Sequence, residues 1–511
     1  MMSLPTMVFL FLGISILVYL FICYLGYRAT NQSSMDDFYL GGRDLGPVVL
    51  FLTIGASWFS MWFLLGAPGS FFVHGVGFNS FFILNIVLGV FMYVFGRRMW
   101  ALGKIYNYVT PSDMLEHYYD SRFLRLISSI VGIYLLFPYI GIQLLGAGVA
   151  FELIGSPFWL GVGSMLVLVT IYSMIGGMKA VAWTDAVQGI FYMLLTWGLA
   201  FWMLSKGVSG IGTLGNLFSM VDGRYPDFLK YPGSSGYFTP LNWFAYIAIY
   251  VTAGIGLPHL WTRYYMAKSM SAFKVVPIGH ILFASWGFVP ILVVGILGKL
   301  FIPDIAIVDQ VFPAIVLEYS PVMAVVLITA AFAAAMSTVD SQLMAMGTIF
   351  TKDIWQVFIK KDNSERTLVW VGRIAMLILM TISVAWTFLA QGSIVALSMI
   401  AFTCGSLLFM PLFGVLFYPK AGKYAANISL IAGFLTLLFT TYIVQDPGGV
   451  YGGGYALFIQ VLLFFGIAQF EKNHLKDRTK HYHEVLRKSI DGEYQATKNG
   501  HDWQTVKTKT N

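Results

Sequence analysis

Charged residues are scarce in this chain of 511 residues, of which only 11% are Asp, Glu, Lys or Arg. Soluble domains carry about 25% charged residues, so the composition argues against a soluble protein. Cysteine is also rare, and Cys23 and Cys404 both lie in apolar segments, which excludes a disulfide framework. The chain has no glycine-rich phosphate loop, no His-Glu or Cys-Cys metal spacing and no Ser-His-Asp set on a soluble segment. An enzyme is therefore not expected.

Apolar segments long enough to cross a bilayer occupy most of the chain. Hydrophobic residues make up 58% of the sequence, and one helical span needs about 20 of them. The pattern predicts an all-α polytopic membrane protein with thirteen transmembrane helices, the first of them a retained helix and not a signal peptide. The predicted spans are residues 6–28, 48–72, 76–96, 123–152, 157–176, 180–204, 240–265, 274–301, 321–350, 367–390, 394–418, 422–443 and 453–470.

Lysine and arginine concentrate in alternate loops. Only the 205–239 loop breaks this alternation, and long loops are weighted least by the positive-inside rule. We therefore predict a multi-pass protein of the plasma (inner) membrane with its N-terminus outside and its C-terminus in the cytoplasm. Residues 1–470 form the transmembrane domain, and the charged tail 471–511 is expected to be a cytoplasmic, disordered extension. Dispersed basic residues without a basic stripe give no reason to expect nucleic acid as a partner.

Two of the predicted spans are interrupted in similar ways. The second span contains glycine and proline at residues 55–57 and 66–69, and the seventh contains them at residues 254–259. The two spans are five apart, so they enter the membrane from opposite sides, which indicates an inverted repeat over residues 48–204 and 240–418. Interrupted helices supply backbone carbonyls for a cation and helix N-termini for an anionic group.

The ninth span contains a stripe of small and hydroxyl residues. Ala334, Ser337, Thr338 and Ser341 fall at i, i+3, i+4 and i+7 on one helix face, with Asp340 on its flank. Hard oxygen atoms suit a small cation, and alanine lets neighbouring backbones approach closely. A carboxylate inside a membrane helix also indicates function, whereas a single hydroxyl often bonds only to its own helix.

Four motifs in this order resemble those of the sodium:solute symporter family, with its pantothenate, monocarboxylate and proline permeases. They lie at residues 38–43 (Phe-Tyr-Leu-Gly-Gly-Arg), 176–188, 256–259 (Gly-Leu-Pro-His) and 334–343. The resemblance extends over roughly residues 6–470. It implies a LeuT-type fold of two inverted five-helix repeats with one helix before them and two after. It also implies transport and not catalysis.

The resemblance implies a sodium site between the interrupted second span and the ninth span. Its ligands would be the backbone carbonyls of Ala56, Phe59 and Ala334 with the hydroxyls of Ser337 and Thr338. Sodium would then be the coupling ion.

A second cation site is implied by the family at Asp185, together with the positions of Ser337, Asp340 and Ser341. A hydroxyl is more usual in the family than the carboxylate of Asp340. Two carboxylates in one site repel each other, so one takes up a proton or a cation lies between them. Three alternatives remain: a second sodium, a proton shared by the pair, or an Asp340 side chain directed towards Lys352.

Substrate recognition is expected from the interrupted helices and from the third and fourth spans. No unpaired lysine or arginine is expected at mid-membrane, and Arg263 is expected at the inner interface. A substrate carboxylate would therefore be held by helix N-termini and neutral donors. His259 is expected to cap the interrupted helix, with proton transfer as the alternative. The candidate substrate-binding residues are Trp58, Ser60, Asn85, Tyr139, Gln143 and Tyr250.

The sequence thus predicts a sodium-coupled symporter that imports a small organic solute, such as a monocarboxylate or an amino-acid-like compound, by alternating access. A proton-coupled symporter that uses Asp185 and Asp340 is the alternative, and a membrane sensor or a channel is a remote one. The expected partners are the solute, sodium and the bilayer, without an obligate protein partner.

Overall fold

The computed structural model describes residues 2–207, 211–389, 392–471, 476–490, 494–496 and 503–505. These residues are almost entirely helical, and β1 (Tyr494–Ala496) pairs antiparallel with β2 (Trp503–Thr505). The helices of the first half are α1 (Leu4–Ala29), α2 (Met35–Leu40), α3 (Pro47–Trp58), α4 (Ala67–His74), α5 (Ser80–Tyr106), α6 (Pro111–Tyr119), α7 (Arg122–Leu153), α8 (Phe158–Trp202) and α9 (Leu214–Arg224). Those of the second half are α10 (Pro240–Gly256), α11 (Pro258–Met266), α12 (Ala272–Phe301), α13 (Val311–Tyr319), α14 (Pro321–Ile349), α15 (Glu365–Leu389), α16 (Ile394–Phe417), α17 (Lys423–Tyr442), α18 (Gly452–Phe470) and α19 (Lys476–Ile490).

Ten helices of the described chain are long and apolar enough to cross a membrane, or eleven when the bent pair α10 and α11 is counted as one span. This count is lower than the thirteen expected from hydropathy. Two of the ten helical stretches, Trp62–Tyr106 and Phe158–Ser205, contain 45 and 48 residues. Each includes a glycine with positive φ, Gly75 at 59° and Gly177 at 68°.

Both predicted helix interruptions are present. Helix α3 ends at Trp58, and Phe59 is extended (φ −92°, ψ 115°) before a π-helical turn over Trp62–Gly66 leads into α4. The break therefore follows residues 55–57, and the chain is helical through residues 66–69. Helix α10 ends at Gly256, and α11 restarts at Pro258 with a bend of 46° between the two axes. Proline suits the first helical position because its missing N–H would have no partner there.

Helix α14 is the central helix of the bundle. It packs against α8, α7, α15, α1 and α3, and its residues from Leu327 to Ile349 are all buried. The alanines of this helix leave room for close backbone approach. The polar stripe of the ninth span is therefore enclosed by protein and does not face lipid.

Part of the C-terminal tail, which the sequence predicts to be disordered, is helical in the structure. Residues 476–490 form helix α19, in which Tyr482, Val485 and Leu486 are buried, so the prediction of disorder is wrong for this segment. The apolar positions at 482, 485 and 486 follow a helical spacing, and their burial against the bundle stabilises a helix that is otherwise highly charged. The rest of the predicted tail lies largely outside the described residues.

Candidate functional site

The hydroxyl of Ser337 connects α14 to the interrupted helix α3. Its Oγ lies 3.0 Å from the carbonyl oxygen of Ala56 and 3.0 Å from that of Ala334. The hydroxyl of Thr338 donates to the same Ala334 carbonyl at 3.1 Å. All of these residues are fully buried. Four of the five predicted sodium ligands are thus brought together by contacts between two helices that are about 280 residues apart.

Phe59, the fifth predicted ligand, lies where the helical hydrogen-bond ladder stops. The N–H of Phe63 donates to the carbonyl of Ser60 at 2.9 Å, and not to the carbonyl of Phe59 as a continuous α-helix would require. The Phe59 carbonyl is therefore released from the ladder beside the Ser337 contact. Neutral oxygens dominate this region, and the described residues contain no group of three or more His, Cys, Asp or Glu side chains that could hold a metal ion. Such a donor set suits an alkali cation better than a transition metal.

A buried ion pair lies next to these oxygens. Asp185 Oδ2 accepts from Arg263 Nη2 at 3.0 Å and from the hydroxyl of Thr53 at 2.5 Å, and all three side chains are fully buried. Arg263, which was expected at the inner interface, is thus fully enclosed by protein. Because α11 restarts immediately after the break, it carries Arg263 back against α3 and α14, where Asp185 compensates its charge.

Arg263 also contacts the position of the predicted second cation. Its Nη2 is hydrogen-bonded to the hydroxyl of Ser341, its Nη1 donates to the carbonyl of His259 at 2.7 Å, and its Nε donates to Thr53 Oγ1 at 3.0 Å. The guanidinium thus lies among the carboxylate and hydroxyl oxygens that the sequence assigned to that cation. Sequence reasoning missed this role because the pairing joins residues 78 positions apart.

Asp340 is held by hydroxyl groups. Tyr172 donates to its Oδ2 at 2.5 Å, and Ser341 donates to its Oδ1 at 3.1 Å. The alternative that Asp340 is directed towards Lys352 is therefore wrong. Ser341 Oγ lies 3.0 Å from Ser57 Oγ, which itself lies 3.4 Å from Asp185 Oδ2. The two carboxylates thus belong to one hydrogen-bond network that also contains Arg263.

A family model described as "Sodium:solute symporter family" matches residues 38–433. The chain belongs to the sodium:solute symporter family. It is 28% identical to the sodium/proline symporter of Escherichia coli (strain K12) over 454 residues, covering 82% of this chain and 86% of that protein. It is 25% identical to the sodium/pantothenate symporter of Haemophilus influenzae over 461 residues, covering 88% and 92%. The protein is therefore a membrane transporter and not an enzyme.

A solved structure has the same fold as this symporter. It is that of a Na+-coupled sialic acid symporter in a substrate-bound outward-open state, with a TM-score of 0.75 and 17% identity over 93% of this chain and 99% of that one. The likeness supports the LeuT-like architecture indicated by the interrupted helices.

Three of the predicted substrate residues of the symporter make hydrogen bonds to nearby backbone. Ser60 Oγ accepts from the N–H of Trp62 at 3.2 Å, and Gln143 Oε1 accepts from the N–H of Met61 at 3.0 Å. These bonds satisfy donors at the start of the second half of the interrupted helix. Asn85 Nδ2 donates to the carbonyl four residues before it, at 2.6 Å.

The other three candidates surround Phe402, which sequence reasoning did not select. Its ring centroid lies 4.3 Å from that of Tyr250, 5.3 Å from Tyr139 and 5.5 Å from Trp58. Trp62, also missed, is 6.2 Å away. Phe402 is one of many apolar residues of α16, so no local signal identifies it. Trp62 begins the π-helical turn that follows the break after α3, so its position next to the break is the signal that could have indicated it.

His259 faces this aromatic cluster, with its ring centroid 5.5 Å from that of Tyr139. Neither ring nitrogen of His259 nor the hydroxyl of Tyr139 has a hydrogen-bond partner among the described residues. The expected capping bond from the His259 side chain is therefore wrong, and only its backbone carbonyl is used, by Arg263. Buried polar atoms without partners are rare in proteins, so these two groups are candidates for contact with a bound molecule.

Proposed function

We propose that this symporter imports a small organic solute together with one sodium ion, which is bound by Ala56, Phe59, Ala334, Ser337 and Thr338. The observation that carries the proposal is the Ser337 hydroxyl, which lies 3.0 Å from carbonyls of both α3 and α14. Sodium at this point would replace a hydrogen bond with ion coordination by both helices. It would therefore favour the conformation in which α3 and α14 are joined.

Sodium coupling would follow if sodium binds the conformation with α3 and α14 joined more tightly than the conformation with them separated. A ligand shifts a conformational equilibrium only as far as it binds one state better than the other. If sodium and solute both favour the joined state, each increases the affinity for the other. Inward movement of one positive charge across about 100 mV releases roughly 2.3 kcal/mol, to which the sodium gradient adds.

The proposed topology has thirteen spans. A helix of 48 residues would be about 72 Å long, more than twice the roughly 30 Å of the hydrocarbon core. We therefore divide Phe158–Ser205 at Gly177 and Trp62–Tyr106 at Gly75, and we join α3 to α4 and α10 to α11 as interrupted spans. The inverted repeats then cover about residues 48–204 and 240–418. The N-terminus lies outside and the C-terminus in the cytoplasm of a plasma-membrane protein.

The second cation position is occupied by the guanidinium of Arg263 in this proposal. Its 3.0 Å contact with Asp185 supplies the positive charge that a second sodium would otherwise supply. Asp340 has hydroxyl partners, Tyr172 and Ser341, and no direct cation contact within the described residues. The full burial of Asp340 without a cation partner favours a proton on its carboxyl, and it keeps proton coupling through Asp185 and Asp340 as the second candidate function.

The proposed solute is a monocarboxylate or an amino-acid-like compound. The aromatic rings of Trp58, Tyr139 and Tyr250 would enclose its apolar or cationic part. The unpartnered hydroxyl of Tyr139 and the ring nitrogens of His259 would accept or donate hydrogen bonds to its polar end. Ser60 and Gln143, the remaining proposed substrate residues, would act where the second half of the interrupted helix begins.

The test is uptake of labelled monocarboxylates and amino acids into proteoliposomes, with sodium and proton gradients imposed separately. We expect sodium-driven accumulation in the wild type and its loss in Thr338→Ala. Thr329→Ala is the matched control, because Thr329 is also a buried threonine of α14 whose hydroxyl donates to its own helix, at 2.9 Å. Accumulation driven by protons alone and unchanged in Thr338→Ala would refute sodium coupling and favour the second candidate.

A further inference from the structure

Helix α19 is held against one end of the bundle by aromatic contacts. Tyr482 is 2% exposed, its hydroxyl lies 2.6 Å from that of Tyr108, and its ring stacks on Tyr106 with centroids 5.0 Å apart. The neighbouring His483 Nε2 lies 3.0 Å from the hydroxyl of Tyr118. Burial raises the pKa of the Tyr482 hydroxyl well above its ordinary value, so this anchor stays neutral. Helix α19 therefore has a fixed position relative to α5 and α6.

A cavity of about 290 Å³ lies between α19 and the final turns of α5 and α16. This volume is near the lower end of small-molecule sites, which begin at about 300 Å³. Its lining contains three polar residues, Arg98, His483 and Arg487, and apolar residues that include Leu416 and Phe417. The cavity thus combines two arginines with an apolar wall.

Among the described residues, no acid is in direct contact with the guanidinium groups of this cavity. In the part of the chain that the structure describes, neither Arg98 nor Arg487 forms an ion pair. Glu484, the acid of α19 nearest to Arg487 in sequence, lies 2.8 Å from Lys488. This contact is the main cause that lowers the pKa of the Glu484 carboxyl, and the charges of His481 and Arg487 add smaller contributions. Arg98 Nη1 donates to the carbonyl of Val94 at 2.8 Å, which leaves its other N–H groups for a ligand.

We infer that this cavity binds a phosphate-bearing anion, carried either by a lipid headgroup of the adjoining leaflet or by a soluble phosphate compound. Guanidinium groups bind phosphate oxygens in a bidentate manner. The guanidinium of Arg98 lies 4.8 Å from the ring centroid of Phe417, so the phosphate position is next to an apolar surface that suits an acyl chain. A phosphate here would connect Arg98 of α5 to Arg487 of α19. Basic pockets between helices at a membrane surface bind anionic headgroups in this way.

The test is native mass spectrometry of the full-length protein with phosphatidylglycerol or phosphatidylcholine. We expect phosphatidylglycerol to be retained preferentially by the wild type. Arg98→Gln combined with Arg487→Gln should weaken this binding about 25-fold, because each arginine contributes roughly fivefold near an anionic lipid. The matched control is Arg28→Gln with Lys423→Gln, which removes two cations from other helices without touching the cavity. Equal retention by the wild type and the Arg98/Arg487 variant would overturn the inference.

Arg487→Gln alone, in the full-length chain, provides an independent variant, because Arg487 belongs to α19 and lines the cavity. It should weaken the preference for phosphatidylglycerol roughly fivefold, and an unchanged preference would also overturn the inference. Millimolar inorganic phosphate identifies the source: displacement of the lipid assigns the cavity to soluble phosphate, and persistence of the lipid assigns it to the bilayer. Lipid binding does not depend on the coupling ion, so this result is separate from that of the uptake experiment.

Discussion

Arg263→Gln should destabilise the symporter strongly. The change removes the only cation within salt-bridge distance of Asp185 among the described residues, and both partners are fully buried at 3.0 Å. Loss of one partner of a buried pair costs about 3–5 kcal/mol because the other charge stays in a low-dielectric site. The measurement is thermal unfolding of the purified protein in potassium and in sodium buffer.

Comparison with two other variants determines whether the uncompensated charge of Asp185 causes the loss of stability in Arg263→Gln. Asp185→Asn with Arg263→Gln removes both charges, and we expect it to recover most of the lost stability. Lys268→Gln breaks an ion pair of similar length, 2.9 Å to Asp44, whose side chains are 65% and 61% exposed, so it should cost under about 1 kcal/mol. The reasoning fails if Arg263→Gln is no less stable than Lys268→Gln, or if the double variant is less stable than either single one.

Sodium dependence gives a second readout of the same change. Without the guanidinium, Asp185 and the neighbouring hydroxyls become available to a free cation. Sodium should therefore stabilise Arg263→Gln more than the wild type, and the Hill coefficient of sodium-driven uptake should rise from about 1 towards 2 in any variant that still transports. A Hill coefficient near 2 in the wild type would refute the proposal that Arg263 takes the place of a second sodium.

Three other predictions test separate parts of the structure. Burial raises the pKa of the Asp309 carboxyl to about 6, so the folded state binds this proton more tightly than the unfolded state does. Its contribution is present at low pH and is lost as pH rises from about 4 to 6. This loss should lower the free energy of unfolding by roughly 2 kcal/mol between pH 4.5 and pH 7, and Asp309→Asn should remove this dependence. Tyr172→Phe removes a 2.5 Å hydrogen bond to Asp340 and should cost about 1–3 kcal/mol, and an unchanged melting temperature would contradict this role. Gly256→Ala places a methyl group against the backbone of α16, whereas Gly13→Ala meets nothing within 4 Å, so only the first should lower thermal stability, by about 1–3 kcal/mol.

Much of the architecture follows from local sequence properties. Apolar length predicts the spans, and glycine and proline predict the interruptions near residues 55 and 256, because these properties act within one segment. Helical periodicity alone puts Ser337 and Thr338 on one face of α14. The structure brings that face against Ala56, as the family resemblance implies.

The remaining features depend on tertiary contacts. The pairing of Arg263 with Asp185 arises only when the bend after Gly256 carries α11 against α3 and α14, within reach of Asp185 on α8, and no local pattern specifies which buried carboxylate an arginine meets. Likewise, α19 is a charged segment by composition, and its position is determined by the burial of Tyr482 against tyrosines more than 350 residues earlier. Hydropathy and periodicity describe where a side chain lies on its own helix. Which helices meet, and which charges neutralise each other, is determined by the packing of the whole bundle.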